Sequence, residues 1–183
     1  MMRRILAGAI ALAALTLVVT TAVARDAGPP TVASADLVGP TGDPLGTVRL
    51  SEGDGRINVV ARVEGIKPGF HGFHVHAVGS CVGPDFASAG GHLNPGAVSH
   101  PEHAGDMPVL LVNEDGTAQA SFRTDRFRIA DLFGRDGSAI IVHAGPDNYA
   151  NIPKDRYDPD PDATTLATGD SGGRVACGVV TAA

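Results

Sequence analysis

The chain has 183 residues, and removing a 24-residue leader leaves 159, one domain with length enough to bury a real core. Gly at 24 positions, Pro at 13 and an aromatic content of only 4% argue against a helical bundle and for short strands joined by turns and long loops. The net charge of −6 becomes −8 once Arg3 and Arg4 leave with the leader. That disfavours binding to nucleic acid or an anionic membrane surface, since both need a basic footprint.

From the amino terminus, Met1-Met2-Arg3-Arg4 is a basic n-region, Ile5 to Val19 is apolar, and Ala22-Val23-Ala24 fits the small-residue cleavage rule. Residues 1–24 therefore read as a signal peptide, 25–30 as a tether and 31–183 as the folded domain. The expected location is the periplasm, the cell envelope or the medium. The uncharged stretch runs on to Ala24, so an uncleaved anchor is the alternative, and membrane contact is expected only in that case. In an oxidising compartment Cys81 and Cys177 read as one disulfide, with two unpaired buried thiols as the alternative. Closing so long a loop is worth about 4 to 5 kcal/mol in the chain-entropy model.

Eight segments carry strand patterning: Thr31–Leu37, Thr47–Leu50, Ile57–Val63, Gly72–His76, Pro108–Val112, Ala118–Phe122, Ala139–His143 and Val175–Thr181. Turn residues separate them, as in Gly39-Pro40-Thr41-Gly42 and Asn113-Glu114-Asp115-Gly116. An all-β antiparallel sandwich or flattened barrel is expected, with one helical turn at Arg128–Phe133. Val78–Met107 and Ala144–Arg174 are two long loops rich in Gly, Pro, Asp, Asn and Ser, and loops of such length in a compact domain are usually functional or disordered.

All seven histidines fall between residues 71 and 143. His74-Val75-His76 alternates in a strand, so both imidazoles leave one face while Phe73 and Val75 leave the other. Two nitrogens aimed at one point suit copper or zinc. On the first long loop, His92 precedes His100-Pro101-Glu102-His103-Ala104-Gly105-Asp106. Three imidazoles and a carboxylate form a closed set of the structural-zinc kind. His143 ends its strand and can join His74 and His76; if His92 serves both groups, the two sites share a ligand.

On these residues the sequence resembles the exported bacterial copper-zinc superoxide dismutases, from about Thr31 to Val180. Gly72-Phe73-His74-Val75-His76-Ala77-Val78-Gly79-Ser80-Cys81 is similar to that family's copper-binding stretch, and Gly173-Arg174-Val175-Ala176-Cys177-Gly178 to its carboxy-terminal motif. The resemblance implies an eight-stranded Greek-key barrel that disproportionates superoxide. It implies copper on His74, His76, His92 and His143, and zinc on His92, His100, His103 and Asp106. It further implies a Cys81–Cys177 disulfide, Arg174 as the substrate guide, and His92 as a bridge that also serves as a proton donor. Val82 and Leu93 depart from the family pattern, which usually has a small or polar residue and an aromatic there.

Asp147, four residues after His143, reads as a carboxylate that orients one ligand of each metal; the alternative is a cap on the turn at Asn148. His71 has the strand parity of Phe73 and reads as a structural histidine beside the site. Glu102 reads as a surface charge, and Lys154 and Arg156 as either steering or plain solvated charges. The rival functions are an exported copper-binding or buffering protein and a zinc hydrolase. The second fares worse, because the zinc set is closed and no Glu stands as its base. Oligomeric state stays open, a homodimer included.

Overall fold

The computed structural model describes residues 30–151 and 160–183. The expected signal peptide, all of the tether except Pro30, and Lys154 and Arg156 lie outside the described residues. Among the described residues no helix is long and apolar enough to cross a membrane.

Among the described residues ten strands follow one another: β1 (Thr31–Val38), β2 (Pro44–Gly53), β3 (Arg56–Val63), β4 (Gly69–His71), β5 (Phe73–His76), β6 (Leu110–Val112), β7 (Ala118–Thr124), β8 (Ala139–His143), β9 (Arg174–Val179) and β10 (Thr181–Ala182). All pairings are antiparallel. The main sheet runs β5-β8-β9-β1-β2-β3-β7, with β10 on β1, and β4 pairs with β6. From β3 the chain crosses to β4 and β5, turns back through β6 to place β7 beside β3, then crosses again to set β8 beside β5. That double crossing is the Greek-key path.

The ten strands are eight paths, two of them interrupted. The stretch expected as Gly72–His76 begins earlier and is cut at Gly72, because β4 pairs with β6 while β5 pairs with β8. The stretch expected as Val175–Thr181 divides likewise, with Ala182 opposite Ala33. Strand β6 starts at Leu110 rather than Pro108, which has no N–H to give a ladder. The helical turn is a 3₁₀ segment, Ile129–Phe133.

Alternation fills the barrel. Ala33, Ala35 and Leu37 of β1, Val48 and Leu50 of β2, and Ile57, Val59, Ala61 and Val63 of β3 point inward against Phe73, Val75, Ile140 and Val142. Full burial of a Leu or Val side chain is worth about 1.5–3 kcal/mol, so this interior provides a rigid wall. Strands β5 and β8 are buried on both faces, because the two long loops fold over their outer side.

Candidate metal centre

Strand β5 sends Phe73 and Val75 into the barrel and His74 and His76 outward beneath the first long loop. That loop is stitched to β5 along the edge opposite β8: Val75 N–H donates to Gly105 O (2.9 Å), and Leu93 N–H donates to Val75 O (2.8 Å). A Cβ on Gly105 would stand 2.2 Å from Val75 O, so only glycine permits this approach. His92, His100, His103 and Asp106 are thereby carried to the outer face of the strand that bears His74 and His76.

Two four-residue groups result, His74, His76, His92 and His143, and His92, His100, His103 and Asp106. All are buried, and within each group the donor atoms lie within 4.8 Å of one another. His92 belongs to both.

The hydrogen bonds around each ring fix which nitrogen is left over. His74 Nε2 donates to Asp147 Oδ2 (2.6 Å), His76 Nδ1 to Gly90 O (2.9 Å) and His143 Nδ1 to Gly172 O (3.0 Å). Their other nitrogens, His74 Nδ1, His76 Nε2 and His143 Nε2, together with His92 Nε2, are buried without a partner. Four unpaired imidazole nitrogens in one buried space would be costly unless a cation takes their lone pairs. Burial, with a further push from His92, lowers His76 to about 2. Burial, reinforced by His74, lowers His143 to about 3, so both rings stay neutral and their lone pairs free.

The donor atoms of the second group stand close to one another. His92 Nδ1 lies 2.8 Å from Asp106 Oδ1 and 3.2 Å from His103 Nδ1, while His100 Nδ1 and His103 Nδ1 lie 3.0 and 3.3 Å from Asp106 Oδ2. A tetrahedron with metal–nitrogen bonds of about 2.0 Å has edges of about 3.3 Å, so this spacing fits one zinc-sized ion. Burial works against ionisation of Asp106, but His100 and His92 beside it hold its carboxyl well below the usual range. Burial likewise opposes protonation of His100, yet the Asp106 and Asp147 carboxylates raise it to about 9.

Asp147 spans the two groups, accepting from His74 Nε2 through Oδ2 and from His100 Nε2 through Oδ1 (2.8 Å). His71 belongs to neither group; its Nδ1 lies 2.7 Å from His143 O and its Nε2 2.7 Å from Lys67 O. Glu102 is exposed. Cys81 and Cys177 form a disulfide, with Cα atoms 5.7 Å apart. Arg174 donates to Phe86 O and Gly90 O (2.6 Å), and its guanidinium lines a surface depression together with Asp85, Gly91 and Gly172. Val82 is exposed, and Leu93 packs on the barrel core.

The sequence does not reveal the carbonyls of Gly90 and Gly172, which select the tautomers of His76 and His143, because a backbone acceptor has no side-chain signature; the doublets Gly90-Gly91 and Gly172-Gly173 are the trace they leave. Tyr149 is likewise unforeseen. Its ring stacks on His100 (centroids 6.4 Å apart, 13° between planes), and its hydroxyl accepts from Val109 N–H (3.0 Å).

Residues 45–180 match the family profile of copper/zinc superoxide dismutase (SODC). A superoxide dismutase [Cu-Zn] of Mycolicibacterium paratuberculosis is 41% identical over 178 residues, covering 87% of this chain and 78% of that protein. Among solved structures, the Cu/Zn superoxide dismutase of Brucella abortus aligns with TM-score 0.63 and 30% identity over 80% of this chain and 97% of that one. A SOD-like protein from Bacillus subtilis aligns with TM-score 0.64 and 31% identity over 80% and 96%. With the profile spanning most of the chain and the relatives this similar, the protein belongs to the copper/zinc superoxide dismutase family.

Proposed function

We propose that this protein disproportionates superoxide to dioxygen and hydrogen peroxide outside the cytoplasm, at a copper held by His74, His76, His92 and His143 and a zinc held by His92, His100, His103 and Asp106. The observation that supports this most is His92 itself: Nδ1 faces Asp106 and His103, while Nε2 faces the other three histidines without a protein partner. Copper, when bound, supplies the one-electron change that no side chain here can make, while zinc fastens the loop.

The side chains do the rest. Arg174 presents a permanently charged guanidinium to a small oxyanion, in a chain whose net negative charge otherwise repels it. His92 Nε2 can hold a proton while Nδ1 keeps its contact with Asp106, which makes this ring the proton donor to the departing peroxide. Asp147 and the carbonyls of Gly90 and Gly172 hold the remaining rings in the tautomers that leave their lone pairs inward. The disulfide accords with an oxidising compartment, and so with export.

The test is a superoxide assay on the exported protein before and after reconstitution with copper and zinc. Activity appears with the metals, and Arg174→Ala lowers kcat/KM about tenfold or more at low salt while flattening its ionic-strength dependence. Metal uptake without turnover would instead make the protein a copper store, and an unchanged salt profile would take Arg174 out of the guiding role.

A further inference from the structure

Three donors of the second metal group, His100, His103 and Asp106, sit on one seven-residue stretch of loop. Its bonds are those of a turn: Glu102 N–H to the O of Ser99 just before it (2.9 Å), Asp106 N–H to His103 O (3.2 Å) and His103 N–H to Asp106 Oδ2 (3.1 Å). Its leading end is tied down where His100 N–H donates to Leu166 O (2.9 Å). Within this stretch, the Pro101 and His103 carbonyls converge on a single point.

One side chain meets them. Arg126 Nη1 donates to Pro101 O (2.7 Å) and to His103 O (3.2 Å). Arg126 follows the end of β7. Its own N–H is bonded to Thr124 Oγ1 (3.2 Å), and the next residue, Phe127, is buried in the core, so the guanidinium projects from a fixed point. It also lines the depression, about 300 Å³, whose wall includes Asp106, Met107 and Tyr149.

We propose that Arg126 is a positioning residue of the zinc group. It bridges two carbonyls of the turn that carries His100 and His103, and so holds these rings at the spacing a zinc ion needs. The proposal rests on the zinc reading above. Converging carbonyl dipoles repel each other, and a cationic donor shared between them offsets that repulsion through charge-assisted bonds. Without the bridge the turn can open, the imidazoles drift apart, and the ion must reassemble its own shell.

The sign of the effect separates this role from a bare charge effect. A guanidinium acting only through its charge repels a divalent cation nearby, so removing it would tighten zinc binding. A positioning guanidinium predicts the reverse. The experiment measures zinc release into a chromogenic chelator from the copper- and zinc-loaded protein, with cobalt spectra of the same group reporting its geometry. Arg126→Met, which keeps the apolar stem, should release zinc about tenfold faster and alter the cobalt spectrum. Arg126→Lys, with one donor restored, should fall between, and copper retention should stay at the wild-type level in both, which also reports a folded barrel. Release from Arg126→Met at or below the wild-type rate overturns the proposal. A wild-type protein that takes up no zinc overturns the zinc reading itself, and the proposal with it.

Discussion

At the scale of residues, the centre is governed by which nitrogen each ring has left over. The residues of the two groups were legible in the sequence as candidate metal donors, since six histidines and one aspartate with strand and turn spacing leave few other uses. Asp147 was legible as a candidate, with a turn cap as its rival. In the structure it accepts from Tyr149 N–H (2.6 Å) as well as from both rings, so one carboxylate closes a turn and spans the two groups. Burial alone would raise its pKa, but the hydrogen bonds from His100 and His74 hold it well below the usual carboxylate range. Gly169 makes room: with φ of +59°, it would place any Cβ 2.1 Å from Asp147 Oδ1 and 2.6 Å from His100 Nε2. Asp147→Asn, which keeps the shape but not the charge, should weaken binding of each metal about 10- to 100-fold in a competition titration. Unchanged affinities for both would show that the carboxylate does not orient the rings.

At the scale of elements, the strands that alternate cleanly were readable, and those that change partner were not. Ile57–Val63 keeps β2 and β7 as neighbours along its whole length, and Thr31–Leu37 keeps β2 along one edge although β9 and β10 share the other, so period two survives in the sequence. The break at Gly72 and the division before Thr181 are set by pairing with distant strands, which no local pattern encodes. The helix Thr165–Thr168 leaves no periodic trace in the sequence because it is four residues long; Asp162 leads into it, its Oδ1 accepting from the N–H groups of Thr164 and Thr165. Yet this short helix supplies Leu166 O to His100 N–H, joining the second loop to the first. The disulfide does comparable work at the other end, tying the segment after β5 to β9 beside Ala139 and Ile141. Replacing Cys81 and Cys177 together by Ser should cost about 2–5 kcal/mol in a denaturant titration of the metal-free protein. A loss well below 1 kcal/mol would mean that the barrel fixes this loop unaided.

At the scale of the whole molecule, the centre is assembled by a barrel that holds its shape and two loops that fold over the outer side of β5 and β8. The barrel supplies His74, His76 and His143 from adjacent strands; the first loop supplies the other members of the two groups, His92, His100, His103 and Asp106; the second supplies Asp147 and the Leu166 carbonyl. Composition marked both loops as functional or disordered but did not show how they meet, because the meeting is made by one backbone bond, His100 N–H to Leu166 O, and by side-chain bonds such as His100 to Asp147 and Arg174 to Gly90 O, between residues about fifty or more apart. The two donor groups meet at His92, proposed above as a single imidazole shared between two ions. The most direct test is electron paramagnetic resonance of protein with Cu²⁺ in the four-histidine group and Co²⁺ in the other. A shared ring couples the two spins, so the account predicts that the ordinary Cu²⁺ signal is lost and returns when the cobalt is removed. A Cu²⁺ signal indifferent to cobalt would contradict it.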